Sequence, residues 1–268
     1  MESTDTVFAG SIPALYDRCL GPLLFEPYAE EMVRRAAALA PGDVLETAAG
    51  TGIVTAALAR ALPGARIVAT DLNQAMLDVA AARIESPSVR FRTADAQALP
   101  FADASFDIIV CQFGAMFFPD RVTAYREARR VLRPGRRFLF SVWDRLEENP
   151  ASDAAATAVA GLFPDDPPDF LRRVPFSYFD KGEVERDLRA AGFGRVDAET
   201  MSLPHGPAGV REAAVGLCEG TPLRSEIEDR DPGRLGEATT AVEKALSAMR
   251  RDGRVEARMS AHIFSAWD

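Results

Sequence analysis

Apolar positions from residue 43 onward switch repeatedly between two periods. Asp43 to Thr47 is a short run with a buried middle, too brief for a helix, and reads as a strand; Ile53, Val54, Ala57, Leu58, Ala61 and Leu62 then recur at helical spacing. Arg66 to Thr70 is strand-like again. Leu72, Met76, Val79, Ala80 and Ile84 mark a second amphipathic helix, Ser88 to Thr93 a third strand, and Phe106 to Gln112 a fourth, strongly apolar one. A helix over Arg121 to Leu132 is predicted to end at Arg133-Pro134-Gly135, with Arg136 to Trp143 as the fifth strand. Strict alternation of strand and helix implies parallel pairing through right-handed crossovers, hence a doubly wound α/β fold with helices on both faces of one twisted sheet.

After Trp143 the rhythm breaks. Asp144 to Tyr178 holds an alanine-rich helical piece and a proline-dense stretch, Phe163 to Pro168, that cannot be regular structure. Val184, Leu188 and Ala191 then share a helical face, Gly192 caps its end, and Phe193 to Met201 can form a strand. A second interruption, Pro204 to Arg254, is helical in pattern around Val242, Ala245, Leu246 and Met249, and Arg258 to Ser265 closes the chain as a strand. One domain over residues 1–268 is expected, with helical insertions at 144–178 and 204–254 placed to cover a substrate.

Composition narrows the chemistry. A net charge of -9 disfavours a phosphate backbone as partner, so no nucleic-acid substrate is expected. The longest uncharged run, Thr47 to Ala59, is too short to span a bilayer, and the acidic start Met1-Glu2-Ser3-Thr4-Asp5 is not a secretory signal; a cytoplasmic protein is expected. Cys19, Cys111 and Cys218 are scattered without paired spacing, which fits neither a disulfide framework nor a zinc site. With only His205 and His262, no metal centre is expected and general bases are few.

The sharpest local signal is Val44-Leu45-Glu46-Thr47-Ala48-Ala49-Gly50-Thr51-Gly52, a strand that ends in an acid and runs through a small-residue loop into a helix. Such a loop lets backbone lie against a ligand at a helix N-terminus. Asp71 ends the second strand, next to that loop in a doubly wound sheet, and can accept both ribose hydroxyls of an adenosine; its alternative role is a helix N-cap. Asp95, just past the third strand, can meet the exocyclic amine of an adenine, or is a solvated loop residue.

Together these motifs resemble the class I S-adenosylmethionine-dependent methyltransferases, of the ubiquinone/menaquinone-biosynthesis type, over roughly residues 12 to 143. The first motif is similar to Glu46 through Gly52, the ribose acid to Asp71, the adenine-side pair to Asp95 and Ala96, the fourth motif to Phe106 through Gln112, and the entry to the fifth strand to Leu132 through Arg136. The resemblance implies a seven-stranded, mostly parallel sheet with the last strand antiparallel, a cofactor-binding core at 43–143 and N-terminal cap helices at 1–42. It implies S-adenosylmethionine as cofactor and S-adenosylhomocysteine as product. Cofactor contacts are carried over to Glu46, Ala48, Gly50, Thr51 and Gly52, to Asp71, Leu72 and Met76, and to Asp95, Ala96, Cys111 and Gln112. The family more usually has glycine at the position of Ala48; an alanine fits there if its φ is negative.

In the family it resembles, the N-terminal segment folds over the cofactor pocket, so Tyr16, and Phe25 and Tyr28 of the proline-turn stretch Gly21 to Tyr28, are candidates to shield the sulfonium with a ring face, or else pack a helix onto the sheet. Tyr28, Phe113, Met116 and Phe117 are candidates for the acceptor, which their apolar character suggests is a small apolar or aromatic molecule. His205 is the one loop histidine that could act as base, whereas His262 lies mid-strand and reads as core, as does Cys111, which has no basic neighbour in sequence. Three functions stay open: methyl transfer by in-line displacement, a cofactor-binding homologue without activity, and a nicotinamide-dependent oxidoreductase. The oligomeric state, a homodimer included, is not legible.

Overall fold

A computed structural model describes residues 10–268. Residues 28–143, 178–201 and 261–268 form one compact unit, and residues 1–27, 144–177 and 202–260 another, of which the first nine residues lie outside the described part.

The first unit holds the sheet. Strands β1 (Asp43–Glu46), β2 (Arg66–Asp71), β3 (Val89–Thr93), β4 (Phe106–Gln112), β5 (Leu132–Trp143), β6 (Arg195–Pro204) and, after a short pair β7 (Arg250–Arg251) and β8 (Arg254–Val255) in the other unit, β9 (Arg258–Trp267) are its strands. Their order is β3-β2-β1-β4-β5-β9-β6, seven strands, with β9 antiparallel to β5 and β1 to β5 parallel. The order reverses at β1, so the carboxyl ends of β1 and β4 open a crevice where ligands bind in such sheets.

The core follows from the strand period. Val44, Ile67, Ile108, Val110, Leu139 and Ile263 point to one face, where Met32 and Val33 of the helix Glu26–Ala37 and Val54 and Leu58 of the helix Ile53–Ala61 bury against them. On the other face Tyr125, from the helix Arg121–Val131, packs on Phe138 and Phe140 at centroid separations of 5.6 and 5.4 Å. At the amino edge Asp107 accepts the N–H groups of Gly42 and Asp43 at 2.9 and 3.0 Å and pairs with Arg133. The Arg133 guanidinium and those two N–H groups hold its carboxyl below the usual range against the opposing cost of burial. The acid of the fourth motif is therefore a clamp on the start of β1.

Four boundaries differ from the sequence expectation. Arg133-Pro134-Gly135 ends the helix but lies inside β5, because Leu132 already pairs with Phe106; the register then jumps so that Ile108 faces Arg137, and Gly135 at φ +71° absorbs the bulge. The second helix begins at Gln74 rather than Leu72, with Asn73 at its N-cap. The last strand runs two residues further, to Trp267, and β6 is shifted to Arg195–Pro204.

In the other unit, Ile12–Leu15 runs into a ten-residue π-wound stretch, Tyr16–Phe25, that contains Pro22. Continuous helix therefore replaces the expected proline turn at Pro22: the stretch is wound wide enough that the Glu26 N–H bonds to the Gly21 carbonyl, and Pro22 is carried inside it. Pro27 likewise sits inside the helix Glu26–Ala37, near its start. The helices Pro150–Ala160, Val210–Glu219 and Leu235–Leu246 pack together, joined by the shorter Phe170–Arg173 and Leu223–Arg230. Gly216 permits the close approach to the π-wound stretch, since a Cβ there would stand 2.6 Å from Leu20 Cδ2 and 2.9 Å from Cys19 Cβ. The 204–254 region is thus helical as expected, with a β7–β8 hairpin added at its end.

Candidate active site

The loop after β1 is built by two glycines with positive φ, Gly50 at +55° and Gly52 at +78°. Ala49 N–H bonds to the Thr70 carbonyl at 2.9 Å and Thr47 N–H to the Val110 carbonyl at 3.0 Å, so both neighbouring strands hold the loop at its root. Gly52 starts the helix Ile53–Ala61 without a side-chain cap. Thr51 Oγ1 beside it is buried and has no hydrogen-bond partner among the described residues. An orphaned hydroxyl at an uncapped helix start is a polar site waiting for an acceptor or donor.

Two buried acids flank the loop. Asp71 is 8% exposed, and its Oδ2 accepts the Gly50 N–H at 2.8 Å while Oδ1 accepts the Asn73 N–H at 2.8 Å. It is not the helix N-cap, which is Asn73; it fixes the glycine loop to the turn after β2. Burial raises its pKa, opposed by those N–H bonds. Glu46 is 2% exposed, accepts the Thr55 hydroxyl at 2.6 Å, and is pushed up to about 8, first by desolvation, with the Thr55 bond opposing and the Asp71 charge adding. Near pH 7 Glu46 is therefore mostly protonated.

A stability profile follows. Because the folded pKa lies above the ordinary 4.5, the folded state holds this proton where the unfolded chain has lost it, so stability falls as pH rises from 4.5 to about 8. We expect Glu46→Gln, which cannot titrate, to gain on the wild type by roughly 1.4 kcal/mol per pH unit across that window and to run parallel to it on either side. Denaturant unfolding from pH 4 to 9 measures the difference; a flat one removes the assignment.

Leu72, next to Asp71, is 57% exposed, a large apolar side chain left open beside a buried carboxylate. Met76 is buried close to Gly50. Asp95 is exposed and accepts the N–H of Gln97 at 2.8 Å; Gln97 in turn accepts the Asp120 N–H at 3.0 Å, so the Asp95-Ala96 turn is tied to the loop before the helix Arg121–Val131.

Ala48 departs from expectation. Its φ is +51°, not negative, so it occupies the left-handed conformation that a glycine would take at this point, at a cost of about 1–2 kcal/mol. The tight turn between two strand-anchored N–H groups imposes that conformation whatever the residue.

Cys111 and Gln112 end β4, and Cys111 is fully buried, its thiol pushed up to about 12 by desolvation, which makes it inert core. Phe113 follows at φ +52°, its N–H bonded to the Ser141 carbonyl at 3.1 Å. Its ring stacks on Trp143 at 3.8 Å and 5° and meets Tyr28 edge-on at 5.2 Å. Tyr28 is 0% exposed and donates its hydroxyl to the Met201 carbonyl at 2.9 Å. Met116 is buried and Phe117 half-buried. Of the candidates at the sheet's rim, Tyr28 and Phe113 thus form one aromatic cluster with Trp143, which the sequence analysis did not single out. A tryptophan closing a strand beside the fourth motif was the available signal; Gly114 and Thr55, also missed, carry none.

Tyr16, Phe25 and His205 belong to the helical unit. Tyr16 and Phe25 stack on each other at 4.8 Å. His205 Nδ1 lies 2.9 Å from the Ala257 carbonyl, so the neutral ring donates there, and burial lowers its pKa. His262 is buried in β9 as expected, with Nδ1 3.0 Å from Thr200 Oγ1.

Among the described residues no helix is long and apolar enough to cross a membrane. Residues 45–140 match the family model described as a methyltransferase domain. A demethylmenaquinone methyltransferase of Thermus thermophilus is 41% identical over 102 residues, 37% of this chain and 46% of that protein. The chain spans about half the length, or less, of the curated relatives it matches. Similar solved structures include phosphoethanolamine N-methyltransferase 2 of Haemonchus contortus in complex with S-adenosylhomocysteine, with a TM-score of 0.54 at 16% identity over 97% of this chain and 61% of that one. The cyclase SpnF is similar with a TM-score of 0.59 at 18% identity, over 96% and 92% of the two chains. At these identities the structures share the fold. The glycine loop and its two acids lie within residues 45–140, the stretch that matches the methyltransferase domain, whose cofactor is S-adenosylmethionine.

Proposed function

We propose that this protein transfers the methyl group of S-adenosylmethionine to a small apolar or aromatic molecule by in-line displacement. The carrying observation is the buried Asp71 carboxylate, held at the end of β2 by the Gly50 N–H with exposed Leu72 beside it. In this reading Asp71 accepts the ribose hydroxyls, Leu72 covers the adenine, Asp95 and Ala96 meet its polar edge, and Thr51 supplies its unpartnered hydroxyl. Glu46 and Met76 back the loop. The sulfonium supplies an already good leaving group, so this chain's residues need only position the acceptor and exclude water. Phe113, Met116, Phe117 and Tyr28 support an apolar acceptor wall.

Calorimetric titration with S-adenosylmethionine, S-adenosylhomocysteine and NADH, followed by a labelled-methyl screen against phenols, quinols and aliphatic acids, tests the reading. We expect micromolar binding of both adenosyl ligands, none of NADH, and label transfer to an aromatic acceptor. Binding without transfer to any acceptor would favour a cofactor-binding protein without activity, and NADH binding alone would sink the proposal.

A further inference from the structure

The residue at 114 is glycine for a reason its own backbone does not supply. Its φ and ψ, -104° and -33°, are open to any amino acid. What excludes a side chain is the neighbour: a Cβ at 114 would overlap the Ala48 methyl and stand 2.8 Å from Cys111 Sγ. Ala48 in turn places that methyl from a left-handed conformation that glycine would adopt without strain. The two positions meet across the tips of β1 and β4, with Cys111 Sγ as the second group that excludes a side chain at 114.

Phe113, just before Gly114, is strained as Ala48 is. Phe113 at φ +52° is an outlier for a bulky side chain, and such conformations persist only where the surroundings over-determine them. Its N–H is held by the Ser141 carbonyl, with Ser141 Oγ at 3.3 Å, and its ring lies flat on Trp143. The turn is further held by the Phe117 N–H bonded to the Gly114 carbonyl at 3.0 Å, by the Tyr28 ring edge-on to Phe113, and by the Ala48 methyl at Gly114.

We propose that Ala48 is a positioning residue: its methyl props the Phe113–Gly114 turn and thereby sets the Phe113 ring against Trp143, fixing the acceptor-side wall from within the cofactor loop. The acceptor role of that wall rests on the proposed function; the coupling of the two loops does not.

Trp143 and Trp267 are the only tryptophans, so Trp267→Phe leaves the near-ultraviolet circular dichroism band of Trp143 as a direct report on the stack. In that background Ala48→Gly is expected to stay folded, relieved of its strain, yet to lose at least half of the Trp143 band. Gly114→Ala is expected to lower the melting temperature by several degrees and to weaken S-adenosylhomocysteine binding about tenfold. The double variant Ala48→Gly/Gly114→Ala removes the overlap with the Ala48 methyl, leaving only Cys111 Sγ close to the new carbon, and is expected to recover more than half of what Gly114→Ala loses in melting temperature and affinity. An unchanged band in Ala48→Gly overturns the proposal. So does a double variant that fails to fold or merely sums the two single effects. Should Gly114→Ala alone not fold, the double variant still decides. A parent that binds no S-adenosylhomocysteine breaks the functional reading, while the band and melting data judge the coupling separately.

Discussion

Asp71→Ala is expected to weaken S-adenosylhomocysteine binding by at least a hundredfold while leaving the protein folded. Hydrogen bonds to a charged group contribute about 1.5–3 kcal/mol each, and a carboxylate serving two ribose hydroxyls supplies two of them. Their sum, about 3–6 kcal/mol, corresponds to a factor of roughly one hundred to ten thousand in affinity. The substitution also frees the N–H groups of Gly50 and Asn73, so the loop loses the anchor that shapes it before any ligand arrives. Asp71→Asn keeps an acceptor without the charge and should fall between the two. Calorimetry on variants with native-like circular dichroism measures this; an Asp71→Ala affinity within threefold of wild type would show that the acid serves the loop alone.

Gly52→Ala should produce the largest loss of stability, about 2–5 kcal/mol. At φ +78° an L-residue pays about 1–2 kcal/mol, and overpacking adds about 1–3 kcal/mol. The new methyl would stand 2.8 Å from both Ala80 Cβ and Ile84 Cδ1, on and just past the helix Gln74–Arg83. Those neighbours are a packed helix and a side chain against it, so relief requires the two helices to part, and with them the loop that Asp71 ties down. Gly64→Ala, with no atom within 4 Å of the added carbon, is the control and should change stability by under about 0.5 kcal/mol. Urea unfolding of the three proteins reads the difference, and equal midpoints would contradict the close approach.

Much of the cofactor side was legible because it depends on residues close in sequence and on a strand order that alternation nearly dictates. The run Glu46 to Gly52, the acid at 71 and the turn at 95 each sit at the end of a predicted strand, and parallel pairing brings such ends to one edge. The bulge in β5 was not legible, since Pro134-Gly135 reads as a stop in any local scan; only the pairing of Leu132 with Phe106 keeps the strand going through it. The π-wound stretch around Pro22 was missed for the same reason: a proline signals a turn in any local scan, whereas here the helix runs through it, packed closely against Gly216 from a distant segment.

By itself, the sequence determined the doubly wound class, the acids and glycines of the loop, and the edge at which they meet, because hydrophobic period and motif spacing are local properties that survive in every arrangement of the chain. The sign of φ at Ala48, the burial that protonates Glu46, the stack of Phe113 on Trp143 and the glycine at 114 were decided only in the tertiary structure. Each depends on atoms from distant segments occupying the same few ångströms, and steric exclusion and desolvation act only once those segments have been brought together.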